Sequence, residues 1–399
     1  MDGRLSVKRE RYTSSAGSWP AGAAAVDAVR AGDLVFVAGQ MPATKRAPRS
    51  VDEQAEEAFA AVGELLAEAG GTFDDVVDLM SFHADPRDIP AVLEVGRRFL
   101  PTGHEPAWTP VAMVGAPVPE ARVVLRAVAV LGDEPKRCTR LEESDWWSPY
   151  PVSAACEKGG LVFVAGQGAT GLDGEVAGPG DHAAQARLAF AKVAALLERH
   201  GGSLADVIDF CSFHHDARGM AETNAVFERE VFGNVRPTQA PALTTIGSAG
   251  LIAPGMLCQY RAIADLTPGP RVSRTPETVW WRELPVSGVT RKAGGRLVGI
   301  SGQVASDGAG EIVHAGDPEA QARYAFEQIR AGLELLGGSL RDVVEVTAFH
   351  KDPRSWQVAI EVGREFFGGA EPAWTAIGTT GLFKEGYLHE IHALAVIDR

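Results

Sequence analysis

Cysteine is scarce in this chain of 399 residues, which contains only Cys138, Cys156, Cys211 and Cys258. No two of them stand at the spacing of a C-x-x-C motif, so the sequence predicts no structural zinc site, no redox pair and no disulfide framework. Long apolar runs are also missing, because no stretch approaches the roughly 18 apolar residues that a membrane span requires. We therefore expect no transmembrane segment.

Positive charge is in deficit. Lysine and arginine total 38 against 52 aspartates and glutamates, which gives a formal net charge of −14. Binding to nucleic acid or to an anionic membrane depends on clustered lysine and arginine, so both partners are excluded by this balance. The polar start MDGRLSVKRERYTSSAG has no apolar core and does not predict a signal peptide. We expect a cytoplasmic protein.

Six short motifs recur three times along the chain in the same order. QAEEAF at 54–59 and GGTFDDVVD at 70–78 return 131 residues later and again after a further 136 residues, and such constant spacing identifies tandem repeats. The other motifs begin as LVFVAGQ at 34–40, SFHADPR at 81–87, EPAWT at 105–109 (matched with RPTQA at 236–240 and EPAWT at 371–375) and LRAVAV at 125–130. The sequence therefore predicts three modules, at 1–135, 136–267 and 268–399.

Each module shows the same succession of patterns. In module 1 an apolar run at 33–39 predicts a strand, and apolar residues at three- and four-residue steps predict a helix over 52–69. Thr72, Ser203 and Ser339 each stand three residues before an aspartate, which predicts a capped turn. A strand at 76–84, a helix at 88–100 and two final strands follow. The fold class is α+β, with two helices on one face of a mixed sheet. The other face is expected to pack against the sister modules in a closed pseudo-threefold ring.

These motifs resemble the RidA/YjgF family, also called the YjgF/YER057c/UK114 family, in the LVFVAGQ strand, the QAxxAF helix, the GGxxxDVV turn and the closing strand. The resemblance covers nearly the whole chain. It implies a chorismate-mutase-like fold, and ligand clefts between neighbouring modules of a trimer fused into one polypeptide. It also implies hydrolysis of reactive imines and enamines without a cofactor.

The family carries an arginine that grips the substrate carboxylate, in a motif of the form R-P-A-R-[ST]. Trp108, Gln239 and Trp374 stand at the matched places here, so this chain departs from the family in all three copies. A tryptophan offers a flat apolar face and one N–H donor, which suits an aromatic or polycyclic ligand better than a small carboxylate. These three residues are candidate substrate-binding groups.

The family glutamate of the last strand, which the resemblance implies to position the attacking water, is kept only as Glu390. His392 shares its strand face, so the two are the predicted catalytic acid–base pair, with a buried structural pair at a module interface as the alternative. In module 2, Gln259 and Arg261 hold the matching positions, and Asn224 matches the family asparagine of the second helix. These residues form the second candidate cleft.

Two further sets of residues recur in the modules. His83, His214 and His350 occupy one place in the FHxDxR motif and are expected to tie down the turn through the neighbouring aspartates rather than to bind a metal. The tryptophans before the first strands either cap the core or roof a cleft; they are Trp19, Trp146, Trp147, Trp280 and Trp281. We expect no metal and no other cofactor.

The sequence favours a cofactor-independent enzyme of specialised metabolism. Its substrate would be an imine, enamine or enol-type small molecule, converted by hydrolytic deamination, dehydration or tautomerisation. The alternatives are a non-catalytic ligand-binding or scaffold protein and a chorismatase-like hydrolase, which would need arginines for its carboxylates. The expected partner is a small molecule, with aromatic and polycyclic compounds as the candidates. The expected assembly is a monomeric pseudo-trimer or a low-order homo-oligomer.

Overall fold

The computed structural model describes residues 8–14, 19, 25–42, 50–140 and 147–397. One arrangement of strands and helices occurs three times, as the α+β prediction requires. Module 1 contains β1 (Arg9–Tyr12), β2 (Ala28–Ala31), β3 (Leu34–Gln40), α1 (Val51–Glu68), β4 (Val76–His83), α2 (Ile89–Gly96), β5 (Ala107–Ala112) and β6 (Val123–Val130). Module 2 contains β7 (Arg137–Arg140), β8 (Ser153–Lys158), β9 (Leu161–Gly168), α3 (His182–Arg199), β10 (Val207–His214), α4 (Met220–Val226), β11 (Ala242–Gly247) and β12 (Cys258–Asp265). Module 3 contains β13 (Arg271–Arg274), β14 (Val289–Lys292), β15 (Leu297–Gln303), α5 (Pro318–Leu335), β16 (Val343–His350), α6 (Trp356–Phe367), β17 (Ala373–Gly378) and β18 (His389–Val396).

The six strands of each module lie side by side in a mixed sheet, and those of modules 1 and 2 join through β5 and β8 into one sheet of twelve strands. In module 1 the spatial order is β1-β2-β3-β6-β4-β5, and the other two modules repeat it. Strands β4 and β5 run parallel, while β4 and β6 run antiparallel. The sequence pattern does not predict the short leading strand of each module, because four polar residues such as Arg9–Tyr12 show no apolar alternation.

Local hydrogen bonds fix where the helices begin. Ser50 and Glu53 form a capping box at the start of α1, and Asp181 caps α3. The predicted capped turns are confirmed in all three modules, where Thr72, Ser203 and Ser339 each form a reciprocal box with an aspartate. Each such cap stabilises its turn by about 1 kcal/mol.

Both faces of the sheets are buried. Each module packs its two helices over one face, as in the apolar cluster that joins Phe59 and Leu93 to Leu125 in module 1. The opposite faces contribute to one shared cluster, to which the modules supply Phe36, Phe163 and Leu394 among others. Burial of apolar surface between modules therefore adds to the stability of each sheet.

The edge of one module's sheet meets the next module at three equivalent seams. Ala107 pairs with Ser153 between modules 1 and 2, Ala242 with Ser287 between modules 2 and 3, and Val26 with Ala373 between modules 3 and 1. A threonine hydroxyl accepts a glycine N–H across each seam, as in the 2.9 Å bond from Gly302 to Thr244 Oγ1. Every module therefore contacts both of the others.

The histidines that recur in the three modules are not hydrogen-bonded to the neighbouring aspartates. His83 Nε2 is hydrogen-bonded to Ser81 Oγ at 2.7 Å, and burial lowers the pKa of His83 to about 3. Asp85 instead accepts from the backbone and guanidinium of Arg87. The expected hydrogen bond between histidine and aspartate is therefore wrong, because Arg87, two residues after Asp85, offers several donors to the same carboxylate.

Two searches of the described residues gave no candidates. Within these ranges, no helix is long and apolar enough to cross a membrane. No group of three histidine, cysteine, aspartate or glutamate side chains in the same part of the chain is placed to hold a metal ion.

The absence of a disulfide was a wrong expectation. Cys138 in β7 and Cys156 in β8 stand directly opposite one another in the antiparallel pair and form a disulfide. Cys211 and Cys258 are free and buried, and burial raises the pKa of the Cys258 thiol to about 12. The spacing test failed because cross-strand pairing depends on the register of two strands.

Reduction of the Cys138–Cys156 bridge is expected to lower the free energy of unfolding by about 3 kcal/mol, since the bridge closes a short loop in the unfolded chain. Thermal unfolding with and without dithiothreitol measures this difference. A variant with both residues changed to serine serves as the control and should not respond to the reductant. Equal stability of the oxidised and reduced proteins would contradict a structural role for the bridge.

Candidate active site at the seam between modules 2 and 3

A cleft enclosing about 590 Å³, its open mouth included, lies between modules 2 and 3. Module 2 contributes residues of α4, of the π-helical turn Phe227–Val231 that follows it, and of β11. Module 3 contributes the segment 280–286, the end of β15 and the segment 383–390. Because both modules build its walls, neither could form this cleft alone.

Glu390 reaches the cleft from β18, the strand between β15 and β16. Its neighbour across the pair is Phe349, and the register of β15 against β18 shifts between Ile300 and Gln303. Gly302 lies in this shifted region, where a Cβ would stand 2.2 Å from Glu390 Oε1. A glycine is therefore required at position 302 to leave room for the carboxyl group.

The Glu390 carboxyl group is poorly solvated. The residue is 5% exposed, and the backbone N–H of Thr245 donates to its Oε1 at 3.3 Å. Burial raises the pKa of Glu390 to about 8, although the Thr245 bond opposes this shift. A carboxyl group with this pKa can both donate and accept a proton near neutral pH, as a general acid–base group must.

Helix α4 presents two more polar groups to the cleft. Asn224 lines it, and its buried Oδ1 has no hydrogen-bond partner among the described residues. Glu228 follows on the π-helical turn, and burial raises the pKa of its carboxyl group. Such turns widen a helix locally and are frequent at functional sites.

Aromatic side chains of module 3 form the roof. Trp280 and Trp281 line the cleft together with Phe383 and Tyr387. The rings of Trp280 and Phe383 stack at 6.2 Å between centroids, and the Lys384 ammonium lies 5.2 Å from the Trp280 ring. Trp280 and Trp281 therefore roof a cleft, which is the second of the two roles expected for the tryptophans before the first strands.

The sequence profile of the endoribonuclease L-PSP family matches three separate parts of the chain, at residues 18–131, 147–266 and 287–397. Together these ranges cover most of the polypeptide. The chain belongs to this family, which is the RidA/YjgF family. The resemblance of the repeated motifs is thereby confirmed, and each third of the chain is one RidA-like unit.

Several known proteins are similar to it. A RutC family protein from Pyrococcus horikoshii is 41% identical over 102 residues, which span 25% of this chain and 79% of that protein. A RutC family protein from Pyrococcus abyssi is 39% identical over the same shares. The structure of a chorismatase is similar in fold, with a TM-score of 0.50, 16% identity and coverage of 81% of this chain and 93% of its own. The likeness to the chorismatase shows that the RidA-like chain shares its fold.

The two tryptophans at the place of the RidA-family arginine are core residues. Trp374 is 2% exposed and packs against Phe326 and Phe367, with a Cβ on Gly363 standing only 2.7 Å from its ring. It does not reach the cleft that contains Glu390. Trp108 is 1% exposed and donates its indole N–H to Ser81 Oγ at 2.9 Å, so only its edge borders another cleft. Substrate stacking on Trp374 is therefore a wrong expectation.

The residue expected to match these tryptophans in module 2, Gln239, was wrongly assigned. Gln239 is exposed and ends a 3₁₀ turn, where its carbonyl accepts from Arg271. Strand register shows that Leu243 pairs with Phe210 as Trp108 pairs with Leu79, so Leu243 holds the equivalent place. Leu243 lines the cleft between modules 2 and 3, in a P-A-x-T pattern that all three RidA-like modules share.

His392 and Arg261 belong to a buried network of charges and not to a cleft. His392 Nε2 lies 3.1 Å from Asp209 Oδ1, and Arg261 donates to Asp78 at 2.7 and 3.0 Å. Arg126 donates to Asp78 and to Glu345. All six groups are less than 5% exposed. The predicted Glu390–His392 pair is therefore wrong, because His392 pairs with Asp209 while Glu390 lines the cleft.

This network links every module to its neighbour. Arg126 of module 1 binds Glu345 of module 3, Arg261 of module 2 binds Asp78 of module 1, and His392 of module 3 binds Asp209 of module 2. Each base therefore reaches an acid in another RidA-like unit. Glu390 and His392 do lie on the same side of β18. Because the strand twists between two seams, the two side chains nevertheless have different surroundings.

The other two seams differ from the first. Between modules 1 and 2, Gln259 replaces Glu390 and donates to the Pro110 carbonyl at 3.1 Å, in a cleft that Lys192 and Trp147 also line. Between modules 3 and 1, Val124 takes this place and joins the apolar cluster of Trp19 and Met41. The expected cleft of Gln259, Arg261 and Asn224 does not form, because Asn224 lies with Glu390. Trp146 lies outside the described residues.

Proposed function

We propose that this chain is a cofactor-independent enzyme that acts on an imine, enamine or enol-type small molecule in the cleft between modules 2 and 3. The observation that supports this most is Glu390, a buried carboxyl group that faces an open cleft and accepts one weak backbone hydrogen bond. Membership of the RidA/YjgF family supports the same class of reaction. Asn224 is then a positioning group for the substrate nitrogen.

One carboxyl group is sufficient for the hydrolysis of an enamine. Protonated Glu390 donates its proton to the enamine carbon, which forms an iminium ion and leaves a carboxylate. The carboxylate then accepts a proton from water as the water oxygen bonds to the iminium carbon. In the last step the group protonates the nitrogen, the C–N bond breaks, and the hydroxyl proton returns to the carboxylate. Enamine and water give a carbonyl compound and an amine, and Glu390 ends as it began.

A non-catalytic ligand-binding protein is the second candidate. The observation that favours it is the loss of the RidA arginine in every module, together with Gln259 and Val124 at two of the three glutamate places. A chorismatase-like hydrolase has less support. The candidates for binding the carboxylates are Arg126, Arg261 and Arg236. Arg126 and Arg261 are engaged in buried ion pairs, and Arg236 is exposed.

Hydrolysis of an aromatic imine such as N-benzylidenemethylamine tests the enzyme proposal. We expect the protein to accelerate release of benzaldehyde, followed by its ultraviolet absorbance, and Glu390→Gln to reduce the rate at least 100-fold because a glutamine cannot transfer the proton. Glu230→Gln is the control, since Glu230 is exposed and bonded to Arg187. A rate that survives in Glu390→Gln, or that falls in Gln259→Ala instead, would refute the assignment of the site.

A further inference from the structure

The lining of the Glu390 cleft combines two carboxyl groups and an amide oxygen with groups that can donate, the hydroxyls of Thr245 and Tyr387 and the indole N–H of Trp280. Asn224 Oδ1 is buried and has no partner within the described ranges, and the carboxyl groups of Glu390 and Glu228 line the same space. None of the described residues lining this cleft is a lysine or an arginine. An anionic ligand would therefore meet acidic groups and no counter-charge.

Lys384, which follows the lining residue Phe383 in the chain, is engaged elsewhere. Lys384 donates to the Gly310 carbonyl at 2.6 Å, and its ammonium lies over the Trp280 ring. It therefore supports the roof and does not line the space below it. The acidic character of the cleft is not neutralised by this neighbour.

The remaining walls are apolar and aromatic. Trp280, Trp281 and Phe383 form the roof, and Leu243 and Val286 form part of the opposite wall. Indole faces attract both flat apolar groups and cations. A ligand that fits these walls therefore has a hydrophobic or aromatic body.

We propose that the cleft between modules 2 and 3 binds a nitrogen cation, a protonated amine or iminium group, carried on an aromatic or apolar body. The N–H groups of the ligand donate to Asn224 Oδ1 and to the Glu228 and Glu390 carboxyl groups, whose ionised forms the positive charge of the ligand favours. The body of the ligand packs beneath Trp280 and Trp281. This inference rests on the proposed function, since it names the substrate class for the same site. It also reverses the charge of the small carboxylate substrates that the family arginine serves.

The equivalent cleft between modules 1 and 2 provides an internal comparison. There Gln259 stands in place of Glu390, and the lining includes Lys192 and Gln167 but no acidic residue among those described. This cleft lacks the paired carboxyl groups that a cation needs. We therefore expect one cation site in each chain.

Three probes of similar shape and different charge test the inference by isothermal titration calorimetry at neutral pH: 2-phenylethylammonium, 2-phenylethanol and 3-phenylpropanoate. We expect the ammonium ion to bind at least 10-fold more tightly than the alcohol, with one site per chain, and the carboxylate to give no detectable binding. Equal or tighter binding of the alcohol or the carboxylate would overturn the inference, and so would the failure of all three to bind.

Two substitutions test whether the ammonium probe binds in the Glu390 cleft. Glu228→Gln and Asn224→Leu are each expected to weaken binding of the ammonium probe about 10-fold. Glu230→Gln makes the same change of charge on the same π-helical turn, on an exposed residue, and should leave the affinity unchanged. An unchanged affinity in both cleft variants would overturn the inference. If the ammonium ion binds as expected and the imine is not hydrolysed, the binding inference stands and the enzyme proposal fails.

Discussion

The Asp78→Ala variant is expected to lose about 5 kcal/mol of unfolding free energy, or to fail to fold. Asp78 is fully buried and accepts three hydrogen bonds, one from Arg126 and two from Arg261, at 2.7–3.0 Å. Removing the carboxylate leaves two buried guanidinium groups short of their counter-charge, and breaking such a pair typically costs about 3–5 kcal/mol. Chemical denaturation followed by circular dichroism measures the loss.

A pair on the surface provides the comparison. Glu230 and Arg187 are joined by bonds of 2.6 and 2.7 Å but stand in solvent, so Glu230→Ala should cost at most about 1 kcal/mol. Asp78→Asn keeps the shape and two polar atoms, and should fall between the two. Similar losses in the Asp78 and Glu230 variants would show that the buried network does not hold the modules together.

The Glu390→Gln variant is expected to be more stable than the natural protein at alkaline pH. Burial raises the pKa of Glu390 to about 8 from an ordinary value of 4.5, so the folded state favours the protonated form. Stability from this group is complete below pH 4.5 and is lost as the pH rises toward about 8. Above pH 8 the variant should be more stable by an amount on the order of 3 kcal/mol.

The neighbours of Glu390 do not cancel this effect. Tyr387 and Cys211 both interact electrostatically with Glu390, and burial raises the pKa of both groups. Thermal unfolding of both proteins from pH 4 to pH 9 measures the difference. The matched variant Gln259→Glu places a carboxyl group at the equivalent seam and should lose stability over the same range. Parallel curves for Glu390→Gln and the natural protein would contradict an ionising carboxyl group in the cleft.

The module framework could be predicted from the sequence because it depends on local patterns. The apolar spacing in α1 and the serine–aspartate box at Ser203 are complete within a few residues of chain. The sheet and its two helices follow from the same patterns. The fold class needed no knowledge of contacts between distant residues.

The site could be predicted only in part, because its two halves come from different modules. Glu390 and Asn224 were separately identifiable, but the 165 positions between them hide the fact that they share a cleft. Gln239 was a misalignment that the P-A-x-T pattern around Leu243 would have corrected. The core role of Trp374 had one sequence signal, the glycine at position 363 on the helix that covers it.

The network of charges has a consequence for the synthesis of this chain. Arg126 emerges from the ribosome long before Glu345, the acid in module 3 that binds it. Domains of a growing chain generally fold from the N-terminus onward, but here Arg126 has only Asp78 as its acid until the third module is made. A prematurely terminated chain would carry this arginine without Glu345, and cellular proteases could distinguish it from the finished protein.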